Sequence, residues 1–437
     1  MISGNFRLPY LKLLGLMACF SMMGCGAEQA SAPENIAVKR AGVFPFAMPD
    51  EKPDIPMSAA TRRMFDAYSS PRAQDNDLFT QFKYTRLQGF DYNGGDGTIS
   101  RRDPSRAIFE NGKYYIWYTK RHTKVPPIGW ARAKEATNEI PSTDWDLSDI
   151  WYATSEDGIQ WEEQGVAVRR PAKPKAGWRS VATPDILKWK EKYYLYYQAF
   201  DEPSGLRGDL CPVSVSVADH PDGPWVHGKD KVVPFGKPGD WDQNATHDPH
   251  PIIFNDKIYL YYKAAYNKWP DKRDQYAVAH GLVIAEDPLG PFEKHPLNPV
   301  MHSGHETTYF PFREGVATLA IKDGNERQTI QYAKDGVNFE VASVVSLPPI
   351  AAAPYIPGLF DGGDYGRGFS WGLCHFTNAG TVEKSYSIMA RFDCNLSLDN
   401  EEAGYKKTGV WHRPDVYFEQ SVEILYDHPE GRYTKKK

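Results

Sequence analysis

Acidic residues recur just ahead of a repeated aromatic segment. Asp103 lies in RRDPS, Asp185 in ATPDI, Asp248 in HDPHP and Glu306 in SGHETT. The first three stand 11, 8 and 11 residues before Tyr114, Tyr193 and Tyr259. Glycoside hydrolysis needs such groups. One carboxylate activates water and a second group protonates the departing oxygen, the two being about 6.5 to 9.5 Å apart when configuration inverts. Crowded carboxylates also raise at least one pKa, which keeps an acid available near neutral pH. Single acids at such places commonly cap loop N–H groups, but four in register favour a shared site.

Histidines accompany them: His247 and His250 flank Asp248, and His302 and His305 precede Glu306. His305 can donate a proton where a carboxylic acid would already be ionised. Both HxxH pairs fall on strands or loops, where they cannot present a helical zinc face, so no metal site is assigned. Arg102, Gln198, Trp117, Trp145 and Trp151 are candidate sugar contacts through planar polar groups and indole faces, although most of the 12 tryptophans should serve packing.

These residues need a scaffold that brings separate loops together. KYYIWYTK (113 to 120), KYYLYYQAF (192 to 200) and KIYLYYKAAY (257 to 266) are near copies. Each is followed by a second strand and a turn before an aromatic residue, as in SEDGIQW, HPDGPW and EDPLGPF, with AKDGVNF in a fourth unit. Repeated units of this length predict the blades of a β-propeller, a ring without long exposed sheet edges. Four units are clear, and the segments around SWGLCHF and SYSIMARFDC supply a fifth. The fold class is therefore all-β, a five-bladed β-propeller over residues 91–437. Acids entering the innermost strands would converge at one end of its axis.

The 437-residue chain has 26 Tyr, 36 Gly and 34 Pro, which suits short strands and tight turns. A net charge of -5 gives no basic field for nucleic acid. Arg7 and Lys12, an apolar run and MMGC read as a lipoprotein signal peptide over residues 1–25, acylated at Cys25. The apolar run is too short for a membrane span of about 20 residues. This predicts a periplasmic or cell-surface protein held to the membrane only by its lipid. Residues 26–56 read as a tether. Residues 57–90 read as a helix-turn-helix arm, with Ser58 as N-cap and a second helix around DLFTQFKYTRL. Cys211, Cys374 and Cys394 have no metal-ligand spacing and are assigned a structural role.

The strings ISRRDPSRAI, IPSTDWDLSDIWYATSEDG, TPDILKWKEKYYLYYQAF, GDWDQNATHDPHPIIFNDKIYLYYK and DPLGPFEKHPLNPVMHSGHETTYFPF resemble glycoside hydrolase family 117, the 3,6-anhydro-α-L-galactosidases. The resemblance covers about residues 56 to 375. It implies an inverting exo-hydrolysis that frees 3,6-anhydro-L-galactose from neoagarobiose and longer neoagaro-oligosaccharides, and a homodimer formed by exchange of the arm. It places the base on Asp103, acidic partners on Asp248 and Glu306, and the acid on His305, while the choice between His305 and Glu306 stays open. Arg102, Asp185, Gln198, His247 and His250 are taken as substrate contacts, His250 standing where an aromatic is expected. No cofactor is required, although family members can carry a divalent cation. Alternative readings are a related glycosidase acting on porphyran, carrageenan or arabinoside fragments, and a non-catalytic surface glycan-binding propeller.

Overall fold

The aromatic strands are apolar on both faces, so each must be covered twice. In Lys192–Phe200, Tyr193, Leu195 and Tyr197 pack toward one neighbouring sheet, while Tyr194 and Tyr196 pack toward the next. In Lys113–His122, Tyr115 and Trp117 join the first of these clusters, whereas Ile116 and Tyr118 face Trp371, Leu373 and Met389. Period-two alternation therefore wedges each sheet between two others, and repetition closes a ring.

The computed structural model describes residues 51–66, 77–206, 210–243, 245–264, 279–322, 324, 326–360, 366–381 and 384–407, and in them the chain forms a five-bladed propeller of antiparallel sheets. Blade 1 has a split inner strand, Ile99–Arg102 and Ile108–Glu110, both paired with Lys113–His122, followed by Ser148–Ser155 and Glu162–Val168. Blade 2 is Ser180–Trp189, Lys192–Phe200, Val213–Ala218 and Val226–Lys229. Blade 3 is Thr246–Phe254, Lys257–Ala264, Ala279–Ala285 and Glu293–Lys294. Blade 4 is Thr308–Arg313, Gly315–Ala320, Thr329–Ala333 and Glu340–Val344, with Gly366–Arg367 beside its inner strand. Blade 5 is Ala353–Tyr355, Trp371–Ala379 and Tyr386–Asp393, and its outer strand is Lys83–Arg86, from the other end of the chain.

That last pairing corrects the reading of DLFTQFKYTRL as a helix. Lys83 pairs with Asp393 and Arg86 with Ala390, and Leu78, Phe82 and Tyr84 are buried among Phe310, Phe376 and Phe392. An open edge on the last blade is satisfied by backbone pairing, which outweighs local helix preference. The propeller thus begins near residue 77 rather than 91. The helix foreseen after Ser58 is present as Ala59–Arg63, and the Ser58 side chain accepts from the Thr61 N–H. It docks through Arg63 to Glu326 and through the Ser58 hydroxyl to the Pro299 carbonyl. The signal peptide with Cys25, and the tether as far as residue 50, lie outside the described residues.

The turn motif works as its composition suggests. Asp157 accepts from the N–H groups of Ile159 and Gln160, and Asp335 does the same for Val337 and Asn338, each ahead of a glycine in the left-handed region. Cys211, Cys374 and Cys394 are buried and unpaired with one another. No described helix is long and apolar enough to cross a membrane.

Candidate active site

Every innermost strand enters the axis through one residue in the left-handed region. These are Asp103 (φ 47°), Thr183 (φ 51°), Asp248 (φ 46°), Glu306 (φ 58°) and Ala351 (φ 50°). None is glycine, so each position stores on the order of 1 to 3 kcal/mol of strain that the surrounding sheet must hold. The kink shifts the register between Ala182 and Asp185 in blade 2 and between His247 and His250 in blade 3. Its effect is to turn the kinked residue toward one mouth of the axial funnel, a cavity of about 400 Å³.

The residue before each kink faces a polar residue on the second strand. Arg102 faces Thr119, Ala182 faces Gln198, His247 faces Lys263, and His305 faces Lys322. In blade 5 the His375 N–H donates to the Ile350 carbonyl. These second-strand residues support the first-strand acids. Thr119 donates to Asp103 Oδ2 at 3.3 Å, Lys263 Nζ lies 2.8 Å from Asp248 Oδ2, and Lys322 Nζ lies 3.7 Å from Glu306 Oε2. Gln198 Oε1 accepts from the Asp248 N–H, so this side chain positions an acid. His375, wholly buried, accepts the Asp103 N–H on Nδ1 at 3.0 Å. Sequence reasoning passed over Thr119, Lys263, Lys322 and His375. For Thr119 and Lys263 the signal was the polar residue ending an aromatic run, in KYYIWYT and KIYLYYK, the place that Gln198 holds in KYYLYYQ; Lys322 and His375 lie outside these runs.

The expected ring of four carboxylates is a ring of three. Asp185 lies two residues past the kinked Thr183 and forms the funnel floor instead. It takes the Arg106 backbone N–H and guanidinium, and His250 Nδ1 stands 3.4 Å from Oδ2. Burial pushes the Asp185 carboxyl up, but Arg106 and then His250 draw it down to about 2. Asp185 is therefore held in a buried ion pair with Arg106 while it lines the same cavity as His250.

Arg102 is buried rather than open for sugar. Its Nε donates to Asp103 Oδ2 at 2.8 Å, Nη2 donates to Glu306 Oε1 at 3.1 Å, and its guanidinium lies 4.7 Å from the Trp145 ring centre. Trp145, half-buried and packed edge-on by Trp130, is the tryptophan that reaches this region. Trp117 is fully buried between Tyr115 and Trp225, and Trp151 packs under Lys120. His302 serves the arm, 2.9 Å from the Thr61 hydroxyl, and burial lowers its pKa to about 4. His247 is buried beside Phe200.

Burial pushes the Asp248 carboxyl up, yet Lys263, His305 and His247 hold it well below the usual carboxylate range. Burial likewise raises Glu306, and Lys322, His375 and His305 outweigh it to leave Glu306 well below its ordinary value. Both are anions at neutral pH. His305 is half-buried, its backbone is paired to Lys322, and its charge is among the influences that lower both acids.

Asp103, Glu306 and His375 bring ligand atoms within 4.8 Å of one another, the one such cluster among the described residues. A divalent cation does not fit this trio as it stands. Arg102 already places a cation between Asp103 and Glu306, and His375 Nδ1 is occupied by the Asp103 N–H, so Nε2 carries the ring hydrogen and has no lone pair to offer.

No protein-family model and no curated protein matches the chain. Among solved structures, it is similar to a GH43_1 enzyme from Xanthomonas citri complexed with xylose, at 16% identity over 64% of this chain and 82% of that one, with a TM-score of 0.41. It is also similar to Zg3597, a family 117 glycoside hydrolase produced by the marine bacterium Zobellia galactanivorans, at 75% identity over 79% of this chain and 99% of that one, with a TM-score of 0.74. A ring of three carboxylates at a propeller axis and this degree of identity lead to one assignment: the chain belongs to glycoside hydrolase family 117.

Proposed function

We propose that the enzyme removes 3,6-anhydro-L-galactose from the non-reducing end of neoagarobiose and neoagaro-oligosaccharides, with inversion. The observation that carries the chemistry is the placement of Asp103, Asp248 and Glu306 on three kinked strand entries at one funnel mouth. Family membership and the sequence motifs support the sugar.

The roles follow from charge and separation. The nearest oxygens of Asp103 and Glu306 lie within 4.8 Å, closer than the ~6.5 to 9.5 Å of an inverting pair. Glu306 is also held as an anion. The acid is therefore assigned to His305 and the base to Asp103. Asp103 takes a proton from water as that water attacks the anomeric carbon. The glycosidic C–O bond breaks with its electron pair passing to the departing galactose oxygen, and His305 protonates that oxygen. Asp248 and Glu306 stay ionised and stabilise positive charge developing on the sugar ring. Arg102 and His375 hold Asp103 in place.

The anchor at Cys25, the periplasmic or surface location and the arm-exchanged dimer belong to the same reading. An enzyme tethered there meets oligosaccharides released outside the cytoplasm.

The test is incubation with neoagarobiose, with products separated by chromatography and the first-formed anomer read by proton NMR. Free 3,6-anhydro-L-galactose and galactose, with the β anomer appearing first, are expected. Release of the α anomer first would overturn inversion. Absence of turnover on neoagarobiose, with cleavage of a sulfated galactan fragment or an arabinoside instead, would overturn the substrate.

A further inference from the structure

The propeller axis has a second mouth, and we infer that it is a separate binding site for a neutral glycan chain. The kinked acids mark one end. Beyond the kink, the strand runs extended from Asp185 on the funnel floor to Lys188, three residues and roughly 10 Å further on. One sugar ring cannot bridge that distance.

At this lower end lies an open cleft of about 410 Å³, lined by Phe109, Glu110, Lys188, Tyr355, Leu359 and Phe360 among others. Phe109 is 47% exposed and is the one exposed aromatic side chain among the described residues. It is not a loose surface ring. Its centroid is 4.8 Å from that of Tyr114, which packs edge-on against Tyr355 at 5.0 Å and Trp371 at 5.1 Å. Beside this fixed apolar plate, Glu110 and Lys188 form a 2.7 Å ion pair that is only partly buried. The pair offers carboxylate acceptors and ammonium donors without net charge.

An exposed aromatic face next to a paired acceptor and donor matches a pyranose, which has an apolar C–H face and a rim of hydroxyls. Other occupants fit less well. A second protein copy requires about 800 Å² on each partner, far more than this cleft presents. An anionic polymer gains nothing from a neutral ion pair. Binding here would keep the enzyme on the polysaccharide while the opposite mouth cleaves.

The site is tested on the intact protein by affinity electrophoresis in gels containing agarose, with plain and xylan-containing gels run alongside. Turnover of neoagarobiose is measured on the same preparations. Agarose should retard the wild type, and Phe109→Ala and Lys188→Met should each reduce that retardation at least threefold while leaving kcat/KM within twofold. Matching thermal melts show that both variants fold. Equal retardation of wild type and both variants would overturn the proposal, as would absence of retardation by agarose and xylan alike. Retardation by xylan alone, lost in both variants, keeps a neutral-glycan site and changes its sugar. Loss of retardation in the variants of an enzyme that never cleaves neoagarobiose would support this site while overturning the substrate proposed for the other mouth.

Discussion

Blades 1, 3 and 4 differ from blades 2 and 5 at one backbone position. All five kink into the left-handed region at the same place, but the first group carries Asp103, Asp248 and Glu306 there, and the second carries Thr183 and Ala351. The fold therefore supplies five equivalent strained entries, and chemistry is placed at three of them. The strain is a property of the blade, since it persists where no acid is present. The blades also differ in the partner provided from the second strand. Lys263 and Lys322 reach Asp248 and Glu306, Thr119 reaches Asp103, and Gln198 of an acid-free blade reaches across to the neighbouring Asp248 backbone.

Substitutions can break this contrast in graded ways. Asp103→Asn keeps a side chain that tolerates the left-handed region, so folding should survive while kcat/KM falls on the order of 10³-fold. Retention of a tenth of wild-type activity would remove Asp103 from the base role. Asp185→Asn, two residues beyond the kink, should act on stability instead. Leaving Arg106 buried without its anion costs about 3 kcal/mol, visible as a lowered midpoint in urea. A variant with unchanged midpoint and lost activity would return Asp185 to the reacting group.

Lys263→Met sharpens the electrostatic side of the comparison. With its nearest cation gone, Asp248 binds a proton more readily, although His305 and His247 still draw it down, so the acid limb of the kcat/KM profile should move upward by about one pH unit. In the wild type the depressed Asp248 carboxyl adds stability above its unfolded pKa of about 3.9, and that contribution is lost as pH falls through the lower folded value. An acid limb that does not move in Lys263→Met would show that Asp248 charge does not govern turnover. The smallest effect is expected at Thr183→Ala, which removes one long hydrogen bond of 3.4 Å to Asp103 Oδ2, so kcat/KM should stay within threefold. A larger loss would mean that Thr183 is needed to hold Asp103.

Much of this was legible in the chain because it is local and repeated. The aromatic runs announce second strands, and Asp103 and Asp248 share an offset of 11 residues. The offset of 8 at Asp185 already marked it as out of register, while Thr183 stands 10 residues before Tyr193. What could not be read locally depends on closure of the ring. His375 meets Asp103 from 272 residues away, and Lys83–Arg86 forms a strand only because Tyr386–Asp393 lacks an outer neighbour. A window around DLFTQFKYTRL contains no trace of that edge.

The strand Lys83–Arg86 has to wait for residues synthesised some 300 positions later. Closing a loop of that length costs on the order of 5 kcal/mol in chain entropy, recovered only when the first and last blades meet. The same meeting delivers His375 to the backbone of Asp103. The support that His375 gives Asp103 therefore depends on closure of the ring. A chain that lacks the final blade would hold Asp103 without its His375 partner, so closure of the ring and completion of the funnel are one event in space.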